Sequence, residues 1–243
     1  MNRHISILMW LSRSSFWKLV VLTGISAVIQ TVWFCFVLSG NPLASLEELA
    51  GGGALAVPFL VCFLLASALL SITGCEMGAR CGYTLRRLSV SERTIFAWQW
   101  GYNSACFLLL WLVELLTAFG LCTLYTMKAD PSLVSGQTIF LAFYRNSLLH
   151  ALLPLEDVFL WIRNLLFAAA SGAACAVLSY RQRRGRLGWE IAAVCTTILF
   201  AFPSALGQWE WNSIALCLIV FLLLEICVFV WGKEGSTDEK RTV

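Results

Sequence analysis

The sequence predicts an all-α integral membrane protein of about six transmembrane helices, with both termini in the cytoplasm. Three observations carry that expectation. Hydrophobic residues make up 59% of the 243 and charged residues 13%, whereas a soluble domain averages about 45–50% apolar and about 25% charged. Mean hydropathy is +0.79. The apolar residues gather in six segments, each close to the roughly 20 residues that cross a core of about 30 Å. Lys and Arg, finally, fall almost entirely on one side of those segments.

The predicted spans are 16–38, 54–73, 104–125, 158–178, 189–206 and 213–231. Residues 1–15 mix Ile5, Leu8, Met9 and Leu11 with Arg3, His4 and Arg13, a pattern that predicts a short surface helix ahead of the first span. The first apolar run is longer than the roughly 7–15 residues of a signal peptide and is read as retained. Residues 232–243 form a cytoplasmic tail. Together these elements use nearly the whole chain as a single transmembrane domain.

Placing the N-terminus inside puts fourteen cationic residues on the cytoplasmic side. They are Arg3, Arg13, Lys18, Arg80, Arg86, Arg87, Arg93, Arg181, Arg183, Arg184, Arg186, Lys233, Lys240 and Arg241. Only Lys128 and Arg145 fall outside, and Arg163 lies within a span. The positive-inside rule counts just these residues, so the orientation follows.

Residues 138–153 are apolar enough to resemble a seventh span, but they hold Arg145 and His150 and stop at Pro154. Spanning would place the RQRRGR cluster outside. The segment is therefore expected as an external interfacial or re-entrant helix with Phe140, Tyr144, Leu148 and Leu152 on one face. Pro58 and Pro203 are expected to kink their spans.

The chemistry-bearing residues are few. The only histidines are His4 and His150, and no HExxH or GxSxG motif occurs. Eight of the ten cysteines sit in apolar runs and read as small hydrophobes. Cys75 and Cys81 lie in a basic cytoplasmic stretch without a histidine nearby, so no metal site is expected. None of the four lysines lies in a P-loop, so any ATP that drives the chain is hydrolysed by a partner. The chain reads as a non-enzyme that binds no cofactor of its own.

Two ionisable groups are embedded: Glu114 mid-way along the third span and Arg163 about two turns into the fourth. Burying either charge alone costs about 2.5–3.5 kcal/mol on insertion scales. An intramembrane Glu114–Arg163 pair across the external hairpin of those spans would relieve both. A Glu114 protonated against a neighbouring subunit, a polar pathway lined by both groups, and a packing clamp with no transport role are the alternatives. Ala168, Ser171 and Gly172 lie in a run of small residues that marks a helix-packing seam, within one subunit or between two.

Ser89 and Glu92 have capping-box spacing, so a helix starting there would run into the third span. The stretch Tyr83-Thr84-Leu85-Arg86-Arg87-Leu88-Ser89-Val90-Ser91-Glu92-Arg93, followed by Ile95-Phe96-Ala97, resembles the intracellular loop of ABC-2 type transporter permeases. The six-span plan and cytoplasmic ends agree with that family. Ser89 departs from it, standing where proline is frequent, and the longest external connection follows the third span instead of the fifth. The resemblance implies a permease subunit that pairs with a second permease, identical or related, above two cytoplasmic ABC ATPase subunits that hold ATP and Mg. Leu85, Arg86, Arg87, Leu88, Ser89, Ser91, Glu92 and Arg93 would form the coupling helix docking on the ATPase.

The expected function is ATP-driven export of an amphipathic substrate, a peptide or lipid, across a cell membrane of bacterial inner-membrane type. Membrane lipids are partners, and nucleic acid is not. A stand-alone proton-coupled transporter using Glu114 is the first alternative, distinguished by following a proton gradient instead of ATP. A non-transporting scaffold or immunity protein is the second, distinguished by tolerating mutations in the 85–93 loop.

Overall fold

The computed structural model describes residues 3–72, 92–129, 133–155, 158–182, 218–223 and 226. Among them lie α1 (Arg3–Gly40), α2 (Leu46–Gly51), α3 (Ala56–Ile72), α4 (Glu92–Lys128), α5 (Thr138–Arg145), α6 (Ser147–Leu152) and α7 (Val158–Gln182), and residues 218–223 are helical too. No strand occurs among the described residues. Four helical stretches, 6–40, 46–72, 93–128 and 158–182, are long and apolar enough to cross a membrane. The expected fifth span, 189–206, lies outside the described residues, as does Pro203; of the expected sixth, 213–231, residues 218–223 and 226 are described and are helical.

The four long helices alternate in direction. Ser15 Oγ meets Tyr102 Oη at 2.9 Å and Gln30 meets Glu114, so α1 and α4 run parallel. Gln30 also reaches Leu55 O at 3.5 Å, while Ser26 Oγ donates to Pro58 O at 3.4 Å, which sets α3 antiparallel to α1. Phe63 of α3 packs between Phe107 of α4 and Phe167 of α7, with centroids 5.0 and 5.4 Å away. This aromatic node is the centre of a core that runs through all four helices. Outward faces are apolar too: Trp17 is 72% exposed and Phe36 78%, as suits lipid and not water.

At 38 and 37 residues, α1 and α4 are each about 55 Å long, well beyond a hydrocarbon core of about 30 Å. Residues 3–15 are not a separate surface helix but the first turns of α1. Ile7 and Leu11 bury against Ile95 of α4, with Trp10, Trp98 and Tyr102 around them. Of the apolar residues read as a membrane-surface stripe, Leu11 is used in helix–helix packing while Leu8 and Met9 stay exposed, and the two helices extend together.

Pro58 does not kink its span. It is the third residue of α3, in the first turn, where a missing N–H breaks no intrahelical bond. The turn between α2 and α3 needs Gly53, whose φ of +83° favours a residue without Cβ. A capping box starts α2: Ser45 Oγ accepts from Glu48 N, and Glu48 reaches back to Ser45 N.

Residues 138–153 form two helices instead of one. The Asn146 side chain accepts from Leu148 N at 3.0 Å and Leu149 N at 3.2 Å, which starts α6 and ends α5. Its amide also donates to Glu47 O at 3.3 Å, tying the break to α2. The expected single face is divided: Phe140 and Tyr144 are exposed and stack on each other, while Leu148 and Leu152 are buried. Arg145 and Glu47 pair at 3.5 Å on the exposed side, a contact that adds little. Asn146→Ala is expected to cost about 1 kcal/mol in equilibrium unfolding, the usual worth of an N-cap.

Candidate functional site

The contact between α4 and α7 sets the level of every embedded polar group. Ser104 meets Gly172 and Trp111 meets Trp161, so α7 runs antiparallel to α4. On that register Val158 starts about 12 residues, roughly 18 Å, short of the Lys128 end of α4. The space above α7 is taken by α5, α6 and α2. Tyr125 Oη donates to Ala44 O at 3.0 Å and holds the chain just before α2 against α4.

The α6 helix therefore ends at the depth of Trp111, against the spanning helices, where its last carbonyls have no helical partners. Side chains of the long helices supply them. Asn164 Nδ2 donates to Ala151 O at 2.8 Å, Trp111 Nε1 to Leu152 O at 3.1 Å, and Trp161 Nε1 to Pro154 O at 2.8 Å. The two indoles pack edge to face, with centroids 5.5 Å apart. Three donors from α4 and α7 thus terminate a helix broken inside the bundle, an arrangement tolerated at such depth only where protein satisfies the backbone.

Arg163 joins this cluster. It is 2% exposed, and its guanidinium donates to Asn164 Oδ1 from Nε at 3.3 Å and Nη2 at 2.9 Å. Asn164 thus accepts from Arg163 and donates to α6, linking a buried cation to the end of that helix.

Glu114 faces the other way, towards α1. It is 5% exposed, and Gln30, fully buried, places Nε2 at 2.8 and 2.9 Å from its two carboxyl oxygens. The expected Glu114–Arg163 pair is not formed. The two groups lie at similar depth but point to different neighbours, one to the amide of α1 and the other to Asn164. Gln30 lies on α1, outside the hairpin of the third and fourth spans in which the partner of Glu114 was expected. Its signal was present, as an amide in the middle of the apolar run GISAVIQTVWF.

The small-residue seam lies within the chain. A Cβ on Gly172 would meet Ser104 Oγ and would lie 2.6 Å from Ser104 N and 2.9 Å from its Cα. Trp100 Nε1 donates to Ala169 O at 2.9 Å and Asn103 Nδ2 to Gly172 O at 3.4 Å across the same seam. Ala168 and Ser171 are buried, and Ser171 Oγ turns back to Phe167 O at 2.8 Å.

Residues 85–91 of the expected coupling segment lie outside the described residues. Glu92 is the first described residue of α4, and Arg93 is half-buried beside it. Among the described residues no cluster of His, Cys, Asp and Glu has the form of a metal site, and Cys35, Cys62, Cys106 and Cys122 are free thiols. No protein-family model, curated protein or solved structure matches the chain.

Proposed function

We propose that this chain is the membrane-spanning subunit of an ATP-driven ABC transporter, exporting an amphipathic peptide or lipid with energy from separate cytoplasmic ATPase subunits. The observation that carries the proposal is α4. It runs without a break from Glu92, directly after the basic segment that resembles an ABC-2 coupling helix, to Lys128. A push at its Glu92 end is transmitted along a rigid rod.

Two features extend that reading. The Ile7–Leu11–Ile95 cluster and the Ser15–Tyr102 bond stiffen the same end, so α1 moves with α4. Farther along, α4 bears Glu114 against α1 and Trp111 against the end of α6. A tilt of α4 would therefore act on both embedded polar contacts at once. In this reading the Arg93 end is cytoplasmic, a second permease subunit completes the pathway, and the membrane is a cell membrane.

Charge reversal in the coupling segment tests it. Arg87→Glu and Glu92→Arg should each lower export by about tenfold, equivalent to about 1.4 kcal/mol of docking free energy, with membrane yield and unfolding midpoint unchanged. Normal transport by both variants in membrane vesicles would remove the segment from any coupling role.

A further inference from the structure

We propose that Glu114 and Gln30 form a proton-binding site inside the bundle, in which the neutral carboxyl of Glu114 clasps α4 to α1. The inference is independent of which energy source drives transport and rests on a hydrogen-bond inventory. An ionised carboxylate has about four acceptor positions and no proton to give. Among the described residues Glu114 has one partner, Gln30 Nε2, which serves both carboxyl oxygens. The other end of that amide, Gln30 Oε1, is a fully buried acceptor with no donor. One added proton completes the set. With the amide turned so that Nε2 faces one carboxyl oxygen instead of both, a carboxylic acid donates its O–H to Gln30 Oε1 and accepts N–H from Gln30 Nε2, giving two complementary bonds between two neutral groups.

Among the described residues no neighbouring charge offers another solution. Towards Glu114, α1 presents only the neutral Gln30, and α3 brings Cys62, a free thiol. On α7 the cation is Arg163, whose guanidinium is directed to Asn164. On α5 Arg145 is paired with Glu47, and on α6 His150 packs edge-on against Tyr144. None of these forms a salt bridge to Glu114. A lone carboxylate with a single amide donor in a low-dielectric interior is costly, and a buried group in that position takes up a proton. Release of that proton to water would leave one amide N–H against a full negative charge, which weakens the clasp between α1 and α4.

The site is tested by infrared difference spectroscopy on the full-length chain in nanodiscs of neutral phospholipid, comparing the unmodified protein with Glu114→Gln at neutral pH. The expected result is a carboxylic-acid carbonyl band in the unmodified protein that shifts in deuterated water and is lost in the variant. A difference spectrum holding only carboxylate bands would overturn the proposal. The unmodified protein gives a second reading independent of the variant's folding. Raising the pH should exchange the acid band for carboxylate bands, and the absence of an acid band at every pH would equally sink the idea. Glu114→Gln should also keep the unfolding midpoint of the unmodified protein at neutral pH, because glutamine mimics the neutral acid. A midpoint lowered as far as in Glu114→Ala would contradict a neutral site.

Discussion

Gly172→Ala is expected to lower the stability of the bundle by about 3 kcal/mol, the upper part of the range for overpacking a tight contact. One methyl group has this effect because of what it meets. The added Cβ would fall 2.6 Å from the backbone N of Ser104 and 2.9 Å from its Cα. A side chain can rotate away, but the backbone of α4 cannot, so the helices must separate. Separation also stretches Trp100 to Ala169 O and Asn103 to Gly172 O. The control is Ser104→Gly combined with Gly172→Ala. It removes the hydroxyl but leaves the backbone atoms, so rescue should be small. Reversible unfolding in mild detergent measures both. A neutral Gly172→Ala would mean that α4 and α7 do not approach this closely.

Asn164→Leu is expected to cost about 3 kcal/mol and to loosen the segment 138–153 ahead of the rest of the chain. Leucine has nearly the same volume but removes both functions of the amide. Ala151 O loses its donor, and an unsatisfied buried carbonyl costs about 1–3 kcal/mol. Arg163 loses the acceptor for its Nε and Nη2, and weakening the hold on a buried charge adds to that penalty. Hydrogen exchange should rise first at residues 147–153, where α6 ends on Asn164, Trp111 and Trp161. Trp111→Phe should produce a milder version, since it removes one indole donor and keeps the ring. Unchanged exchange at 147–153 in Asn164→Leu would show that the helix end does not depend on these donors.

Four helices long and apolar enough to span a membrane were legible in the sequence because hydropathy alone reports them: the expected 54–73 and 158–178 lie within a few residues of the observed 56–72 and 158–182. The extension of α4 was legible from the Ser89/Glu92 spacing, and the helix does run unbroken from Glu92; that of α1 was not. Leu11 read as part of a surface stripe, and its packing with Ile7 against Ile95 shows only when two helices far apart in the chain are laid side by side. The break at Asn146 was legible in principle, since Asn followed by Ser-Leu-Leu is an N-cap signal. It was masked by the hydropathy of the surrounding segment. The embedded Glu114 and Arg163 were found because charges stand out in apolar runs. Their partners, Gln30 and Asn164, were not, because a neutral amide barely alters hydropathy and its role depends on which helix faces it.

Isolation of the tagged chain from its native membrane in gentle detergent, followed by mass spectrometry, tests the proposed function most directly. A stoichiometric ATPase carrying a P-loop motif should co-purify, and Arg87→Glu should reduce its recovery. An eluate free of any such ATPase, under conditions that keep known membrane complexes intact, would contradict an ATP-driven permease.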